Sequence, residues 1–417
     1  MDSLVQTATR RKLKDALAKL PENIMGAYDE ILESRINSQN NDDRVLAFHV
    51  FGWIAFAKHP LTVLELQHAL SVDLDLNMTA FEPDNLYSED LLGSVCAGLV
   101  ITNSVDQGKW PRNPIVKFAH YTIQEYFMSQ KDKLFPQFQK TIACTCLTSM
   151  LFNNFRHHYY VDDYDNIRLY WNNDDNNTTT TTIDNNNTSN DRNYLFLRYS
   201  LNHWVYYVSE WQDSMVDKII AFLDSVCLGK VMKTCHAVRS TLAPTPLHLA
   251  VQYNLLHITK ELLKRGDDPY QCKTPLLLTA SRSGNAEMVK LLLDQDKIDP
   301  NTQDPRKEWT PLSYAVRRKS LQILEILLQS DRVDVNCKDS TGHTPLSYAV
   351  ENRSIQMVEM LLQSDEIDVN CKDSIGYTPL SYAAEIESTQ MVEMLLQSDE
   401  VGVNCADSTG CTPARGS

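Results

Sequence analysis

The sequence predicts a mostly α-helical protein, in which an N-terminal helical module with a small β hairpin precedes a C-terminal solenoid of repeated helix pairs. Two observations lead to this fold class. The C-terminal half repeats with a period near 34 residues, and the N-terminal half contains amphipathic helical segments and one pair of strand-like segments. Because 417 residues exceed the size at which one hydrophobic core stops growing, we expect more than one domain.

Composition and charge narrow the classes of function. Hydrophobic residues make up 43% of the chain and charged residues 22%, as in folded globular proteins. The net charge of −15 disfavours binding to nucleic acid or to anionic membranes. The longest apolar run, Val45–Ala57, is shorter than the ~18 residues of a membrane span, and the N-terminus has no apolar signal segment. We therefore expect a cytoplasmic protein, with a nuclear location as the alternative, that binds another protein.

The ten cysteines predict neither a disulfide framework nor a zinc site, because they form no CxxC pair and no Cys/His cluster. Cys337, Cys371 and Cys405 recur at one phase of the repeat. Equivalent positions of stacked helices lie about 10 Å apart, which is too far for a disulfide. We interpret these thiols as small buried or semi-buried residues, and we expect no metal and no cofactor.

The repeats begin with Thr-Pro at positions 245, 274, 310, 344, 378 and 412. In each unit the threonine is a plausible N-cap, and proline suits the first helical turn because it lacks an N–H. Leu346 and Ala349 would share one face of a first helix. Met357, Val358, Leu361 and Leu362 would share a face of the second. The polar "DVNCKDSTGH" that follows is typical of a projecting turn.

These units resemble the ankyrin repeat, whose signature "TPLHLA" is present at residues 245–250. The resemblance covers residues 245–412 and predicts two antiparallel helices and a finger in each unit. One finger should be missing, because "RGDDPYQCK" leads directly into the Thr-Pro at 274. Lys319, Arg353 and Glu387 stand where the family usually has glycine, and a left-handed turn there would cost each about 1 kcal/mol.

The N-terminal half reads as helices up to residue 70, where Thr62 and Glu65 form a capping-box pattern. Strand-like segments follow at 99–104 and 115–119, separated by the turn-rich "DQGKWPRNP". Helices followed by a small hairpin suggest a winged helix. We expect a helical lead-in at 1–40, a winged-helix domain at 41–130, a helical linker region at 131–235 and repeats at 236–417. An Asn/Thr-rich segment, 172–191, should be a mobile insert.

Four ordered segments, "LAKLPENIMGAYDEIL", "PLTVLELQHALSV", "LLGSVCAGLV" and "FAHYTIQEYF", carry a second resemblance. They are similar to the region after the nucleotide-binding module in fungal NACHT–ankyrin proteins, which are NLR-like members of the STAND class of ATPases. This region shares its name with the winged-helix domain of GPI inositol-deacylase. The name implies no hydrolase here, because the chain has no G-x-S-x-G nucleophile elbow.

The stretch "FAHYTIQEY" matches the motif F-x-H-x-[ST]-x-Q-E-[FY] of related NLR proteins. That resemblance implies that His120 is the remnant of a nucleotide sensor that contacts the β-phosphate of ADP. A purely structural role is the interpretation we favour: His120 and Thr122 cap the helix 121–129 while Tyr126 and Phe127 enter the core. The chain has no G-x-x-x-x-G-K-[ST] phosphate loop, so we expect no nucleotide hydrolysis by it and no enzymatic activity.

The leading hypothesis is a non-enzymatic adaptor or sensor that recognises a protein through finger tips and first-helix faces. The alternative is a regulatory fragment of a NACHT-type ATPase without its nucleotide-binding domain. Nucleic-acid binding is the weakest, because the region beside the hairpin is acidic. The candidate contact positions vary between near-identical units, as recognition or neutral drift would produce. They are Trp309, Arg317, Arg318, Ser340, Thr341, His343, Glu351, Asn352, Ser374, Ile375, Tyr377, Glu385 and Ile386.

Trp309 and Tyr377 are the best anchor candidates, because aromatic residues dominate interface hot spots. The sixth repeat stops at "TPARGS", which predicts an uncovered apolar edge and weak self-association. The predicted edge residues are Met391, Val392, Met394, Leu395 and Leu396.

Overall fold

The computed structural model describes residues 24–72, 74, 80–103, 114–152, 159–161, 167–169, 195–228, 245–270, 275–398 and 401–403. The chain divides into two compact units, Met1–Tyr160 with Ile167–Lys218, and Val161–Asn166 with Ile219–Ser417. Within the described ranges, no helix is long and apolar enough to cross a membrane. The first 23 residues of the predicted helical lead-in, the Asn/Thr-rich insert, Cys405 and the sixth Thr-Pro lie outside these ranges.

Helices surround a two-stranded hairpin in the first unit. In chain order the elements up to the hairpin are α1 (Ile24–Ile31) with a π-helical continuation (Leu32–Ile36), α2 (Asn41–Phe56), α3 (Val63–Leu70), a 3₁₀ turn (Pro83–Asn85), α4 (Glu89–Val95), β1 (Val100–Asn103) and β2 (Ile115–Phe118). The elements after the hairpin are α5 (Tyr121–Ser129), α6 (Lys131–Leu134), α7 (Phe138–Leu151), β3 (Tyr159–Val161), β4 (Ile167–Leu169), α8 (Leu195–Ser209), a 3₁₀ turn (Gln212–Ser214) and α9 (Val216–Leu228). Helix α9 runs across the division between the units.

Local sequence signals explain where α3 and the hairpin begin. The predicted capping box is confirmed: Thr62 Oγ1 accepts a hydrogen bond from the Glu65 N–H at 3.2 Å, and Glu65 Oε2 accepts one from the Thr62 N–H at 2.9 Å. The predicted hairpin is also confirmed, with β1 antiparallel to β2 and Val100 opposite Phe118. Val116 and Phe118 are buried and Lys117 is exposed, as the period of a half-buried strand requires.

Aromatic side chains fill the core between α2, α5 and α7. Phe51 stacks on Phe127 with ring centroids 4.8 Å apart, and Trp53 contacts the rings of Phe138 and Phe196 edge-on. Phe51 and Phe127 have no exposed surface. The C-terminal end of the FAHYTIQEYF segment is therefore part of the core.

The region 131–235 is not uniformly helical. It contains α7, α8 and α9 as predicted, but β3 and β4 form a second two-stranded sheet between α7 and α8. The β3 sequence Tyr-Tyr-Val consists of aromatic and β-branched residues, which favour strands. These three residues are too few for periodicity to reveal a strand in the sequence.

The second unit is a stack of five helix pairs. They are α10 (Pro246–Gln252) with α11 (Leu256–Arg265), α12 (Leu276–Ser283) with α13 (Ala286–Leu293), α14 (Pro311–Arg317) with α15 (Leu321–Leu328), α16 (Pro345–Glu351) with α17 (Ile355–Leu362), and α18 (Pro379–Glu385) with α19 (Thr389–Leu396). First helices contact first helices of adjacent repeats, and α13, α15, α17 and α19 contact each other likewise. This is the predicted solenoid.

Threonine caps four of the five first helices, as predicted. Thr245, Thr310, Thr344 and Thr378 each accept a hydrogen bond from the backbone N–H three residues later. The second repeat differs, because Pro275 itself occupies the N-cap and supplies no side-chain acceptor. Helix α12 therefore begins at the residue after the proline, whereas the other first helices begin at the proline itself.

Each first helix ends in a left-handed turn that redirects the chain into the second helix. Lys319, Arg353 and Glu387 have φ values of 57°, 57° and 55°, which confirms the prediction for these non-glycine positions. Asn254 and Gly284 hold the same place in the first two repeats, with φ of 58° and 79°. Three of five repeats thus place a charged side chain where glycine is the less strained residue.

The predicted apolar faces meet in the interior of the stack. Leu346, Ala349, Met357, Val358 and Leu361 are all fully buried. Leu362 is only half-buried, because it lies at the C-terminal edge of α17. Of the residues predicted at the uncovered edge, Met391 and Leu395 are in fact buried at 1% exposure, since α19 packs on α17 and α18. Val392 and Met394 are half-buried and Leu396 is 47% exposed. The apolar patch is therefore smaller than predicted, and self-association stays a prediction.

Candidate recognition surface of the repeat stack

Asparagines at the base of the fingers tie consecutive repeats together. Asn301 accepts a hydrogen bond from the Asp334 N–H at 2.7 Å and donates one to the Arg332 carbonyl at 2.8 Å. Asn336 does the same with the Asp368 N–H and the Glu366 carbonyl, at 2.8 and 2.7 Å. This recurring bridge fixes the spacing of the fingers.

A buried aspartate organises the finger turns that precede α16 and α18. Asp373, 8% exposed, accepts hydrogen bonds from the backbone N–H groups of Ile375 and Tyr377, at 3.0 and 2.8 Å. Asp339, 6% exposed, accepts from the N–H groups of Thr341 and His343, both at 2.9 Å. These bonds hold the intervening fingertip residues outward.

Asp339 also joins two repeats. Its Oδ2 accepts hydrogen bonds from Trp309 Nε1, at 3.0 Å, and from the Tyr348 hydroxyl. Burial by itself raises the pKa of this carboxyl, but the bonds from Tyr348, Thr341 and the His343 N–H outweigh it and lower the pKa to about 2. The carboxylate is therefore charged throughout the physiological range.

Fingertips of adjacent repeats are in direct backbone contact. The Ser340 N–H donates to the Lys307 carbonyl at 3.1 Å, and the Ser374 N–H donates to the Thr341 carbonyl at 3.0 Å. Gly342 has φ of +82°, and a Cβ there would lie 2.7 Å from the Ser374 nitrogen. Close packing of the fingers therefore requires glycine at this position.

An aromatic ladder lies beside the fingers. His343 stacks on Tyr348 with centroids 5.0 Å apart, and its Nε2 lies 2.8 Å from the Tyr382 hydroxyl. The Tyr382 hydroxyl in turn donates to Asp373. Burial, followed by the bond to Asp373, raises the pKa of Tyr382 well above its usual range, so the hydroxyl keeps its proton.

Arg317 is held between two aromatic rings of this ladder. Its guanidinium carbon lies 4.2 Å from the centroid of Trp309 and 4.6 Å from that of Tyr348. Arginine stacked in this way keeps its N–H edge available for a planar anion.

The thirteen candidate residues fall into two groups. Trp309, His343 and Tyr377 are half-buried. The side chains of Trp309 and His343 hydrogen-bond within the stack, and the Tyr377 ring packs beside Tyr382 with centroids 5.3 Å apart, so each has a structural role whether or not it contacts a partner. Asn352 and Ile386 are also half-buried. The others are exposed and are Arg317, Arg318, Ser340, Thr341, Glu351, Ser374, Ile375 and Glu385. Contact with a partner stays a prediction for all thirteen.

The sequence reasoning missed the residues that hold this surface in place. An aspartate lies five or six residues before each of three Thr-Pro pairs, at Asp304, Asp339 and Asp373. A tyrosine lies four residues after each threonine, at Tyr314, Tyr348 and Tyr382. That recurrence was the available signal for an Asp–Tyr hydrogen bond beside each of these helices. Each of the three tyrosine hydroxyls donates to the aspartate of the finger that precedes its helix.

Cys337 is half-buried and Cys371 buried, as predicted. Each thiol lies 3.1 Å from a carboxylate oxygen three residues earlier, that of Asp334 or Asp368. Among the described residues, no group of His, Cys, Asp and Glu is arranged to hold a metal ion.

His120 caps α5 in the first unit, as the structural interpretation predicts. Its Nδ1 accepts a hydrogen bond from the Thr122 N–H at 3.3 Å and lies 2.8 Å from Thr122 Oγ1. Thr122 Oγ1 is 2.6 Å from the Tyr28 hydroxyl, and Tyr126 donates to Asp29 at 2.6 Å. The imidazole is exposed, while Tyr126 and Phe127 are buried.

Comparison with known proteins agrees with both halves of this architecture. A family model described as "GPI inositol-deacylase, winged helix domain" matches residues 35–143. A model described as "Ankyrin repeats (3 copies)" matches residues 228–304 and 280–373, and a model described as "Ankyrin repeat" matches 375–408. The chain therefore carries a winged-helix domain of this type followed by ankyrin repeats.

One similar curated protein is "Azaphilone pigments biosynthesis cluster protein L" of Monascus ruber, with 30% identity over 138 residues. The match covers 30% of this chain, and the chain spans only about 28% of that relative's length. A similar solved structure is the ankyrin repeat domain of Bcl-3, described as a unique member of the IkappaB protein family. It is 22% identical, with a TM-score of 0.42, and the match covers 51% of this chain and 92% of that one.

Proposed function

We propose that this chain is a non-enzymatic adaptor or sensor that binds another protein through the first helices and fingertips of its ankyrin repeats. Ankyrin repeats indicate a protein–protein interaction module. We place this role at the surface formed by the thirteen candidate residues, in the cytoplasm or the nucleus.

One observation carries it: the near-identical repeats keep their framework and vary where they are exposed. The third to fifth repeats share the buried capping threonines Thr310, Thr344 and Thr378, and a Tyr–Asp hydrogen bond beside each first helix. At the end of the first helix, by contrast, Arg317 is replaced by Glu351 and Glu385 in the following repeats, and all three are exposed. A constant framework with variable exposed positions is what a protein-recognition surface requires.

Site-specific photo-crosslinking tests this proposal. A photoreactive amino acid is placed at Arg318, Ser340 or Ser374 on the candidate surface, and at Glu325 or Glu359 on the second helices as matched exposed controls. We expect one and the same protein to be cross-linked from the three surface positions in extracts of the source organism, and not from the controls. Cross-links only from the controls, or none from the surface positions, would contradict the proposal.

A second function is regulation of a NACHT-type STAND ATPase, in which this chain would act as the part that follows the nucleotide-binding module. The observation that favours it is the exposed imidazole of His120: within the described residues its Nδ1 is engaged by Thr122, and no hydrogen bond is made by its Nε2. The test is ADP binding by a nucleotide-binding module supplied in trans. His120→Ala should weaken ADP binding in the presence of the chain, and an unchanged affinity would exclude this role.

A further inference from the structure

One column of side chains runs along the first helices of all five repeats. Its members lie two residues before the left-handed turn residue of each repeat, and they are Gln252, Arg282, Arg317, Glu351 and Glu385. Neighbouring members are in reach of adjacent repeats: Arg282 Nη2 lies 3.3 Å from Gln252 Oε1, and Arg317 lies over the Tyr348 ring of the next repeat.

The charge of this column changes sign at its middle. Arg282 and Arg317 are basic, and Glu351 and Glu385 are acidic. The exposed residues beside the column extend the pattern, with Arg318 and Lys319 next to the basic half and Glu387 next to the acidic half; Arg353 is the one opposing charge. We call the four charged members of the column, Arg282, Arg317, Glu351 and Glu385, the charge column.

The two halves of the charge column do not neutralise each other. Among the described residues, no ion pair joins Arg317 to Glu351, and the Arg317 guanidinium is turned onto Trp309 and Tyr348. No hydrogen bond to Arg317 side-chain nitrogens occurs within the same residues. A guanidinium held by stacking loses little conformational freedom on binding a carboxylate, which it can grip with two parallel N–H bonds.

We infer that the charge column binds an extended segment of a protein whose charges are clustered, with acidic side chains at one end and basic side chains at the other. This inference rests on the proposed function and specifies its partner. Adjacent repeats are about 10 Å apart, so the centres of the two halves are separated by roughly 20 Å. An extended chain covers that distance in about six residues.

The same pattern excludes ligands of one charge sign. A nucleic acid or an anionic membrane surface would meet Arg317 favourably but would be repelled by Glu351 and Glu385. A partner segment with both charges satisfies both halves at once, and like charges facing each other disfavour its reversed placement.

The test uses two fluorescently labelled peptides of equal composition and the full chain. The first carries two Glu and two Lys clustered at opposite ends of a neutral four-residue spacer, so that the centres of the two clusters lie about six residues apart, and the second carries them interleaved. Fluorescence anisotropy at low ionic strength should show that the clustered peptide binds about tenfold more tightly. Equal affinities, or tighter binding of the interleaved peptide, would overturn the inference.

A charge swap supplies the second arm. Arg317→Glu combined with Glu351→Arg makes the charges alternate along the column, so the preference should shift to the interleaved peptide. Lys290→Glu combined with Glu359→Arg makes the same change of charge on exposed second-helix positions and should leave the clustered preference intact. A preference that survives the first swap, or that the control also abolishes, contradicts the inference; thermal unfolding verifies that both variants fold.

The cross-linking and peptide experiments distinguish failure of the proposed function from failure of the inferred charge pattern. If cross-links form at the candidate surface but the peptides show no preference, protein binding stands and the charge pattern of the partner is wrong. If no cross-link forms at that surface, the proposed function fails, whatever the peptides do.

Discussion

Trp309 donates its indole N–H to Oδ2 of Asp339, which lies in the next finger along the chain, with 3.0 Å between the two atoms. The bond links a half-buried ring to a buried carboxylate that already holds the next fingertip in place. The surface that carries the candidate contacts is therefore fixed by contacts between repeats.

Trp309→Phe keeps an aromatic ring under Arg317 and removes this hydrogen bond. A bond to a charged, buried acceptor is worth about 2 kcal/mol, so the free energy of unfolding of the repeat unit should fall by about that amount. Urea unfolding followed by circular dichroism measures it. An unchanged free energy of unfolding of the repeat unit would mean that the bond contributes nothing.

Gly342→Ala should destabilise the stack more than Gly284→Ala does. Both glycines have a left-handed backbone, with φ of 82° and 79°, so both substitutions cost about 1 kcal/mol in strain. Only at Gly342 would the new Cβ also meet the backbone of the next finger, whereas Gly284 faces open space. We expect a further loss of about 1–3 kcal/mol at Gly342, read from chemical denaturation. Identical losses would show that the fingers separate at little cost.

Some structural features of the repeats could be predicted from the sequence and others could not. Thr344 as an N-cap follows from chemistry within a few positions, whereas the left-handed turn at Arg353 was predicted from the resemblance to ankyrin repeats, and both predictions are confirmed. The hydrogen bond from Trp309 to Asp339 joins residues in different repeats. Because the sequence alone does not locate the Trp309 ring, a tryptophan that varies between units was interpreted as an anchor for a partner protein. Exposure of Ile375, which replaces Thr341 of the preceding finger, agrees with the variation between units, but the bonding of the His343 side chain could not be predicted from the sequence.

Arg353→Gly with Glu387→Gly should stabilise the repeats. Each substitution removes the strain of a left-handed non-glycine residue, φ 57° and 55°, and part of the gain is offset by the greater freedom of glycine in the unfolded chain. We expect a net gain of about 1 kcal/mol for the pair, measured as a higher urea midpoint. Lys290→Gly, in the interior of α13, is the control and should be destabilising. A lower midpoint for the double variant would contradict the strain argument.

Mild acid should weaken the first unit through His68. Its side chain is 4% exposed, its ring centroid lies 4.7 Å from that of Phe81, and burial lowers the pKa of the imidazole to about 4. The unfolded chain takes up this proton near pH 6.5 and the folded chain only near pH 4. Stability therefore falls as the pH drops through that interval, by at most about 3 kcal/mol.

His68→Gln removes this titration, so its free energy of unfolding should change less between pH 7 and pH 4.5 than that of the wild type. Amide hydrogen exchange in α3 at the two pH values, corrected for intrinsic rates, is the measurement. The same pH dependence in both proteins would mean that His68 is not the group responsible.

The most direct test of the account is the affinity of the full chain for the protein that cross-links to the candidate surface. Arg317→Ala, Glu351→Ala and Glu385→Ala are combined in one variant, and Glu325→Ala, Glu359→Ala and Glu393→Ala, all exposed on second helices, in its control. We predict that isothermal titration calorimetry will show at least about a tenfold weaker Kd for the first variant and a change within about twofold for the control. An unchanged Kd for the first variant, or an equal loss in the control, would contradict recognition through the first helices of the repeats.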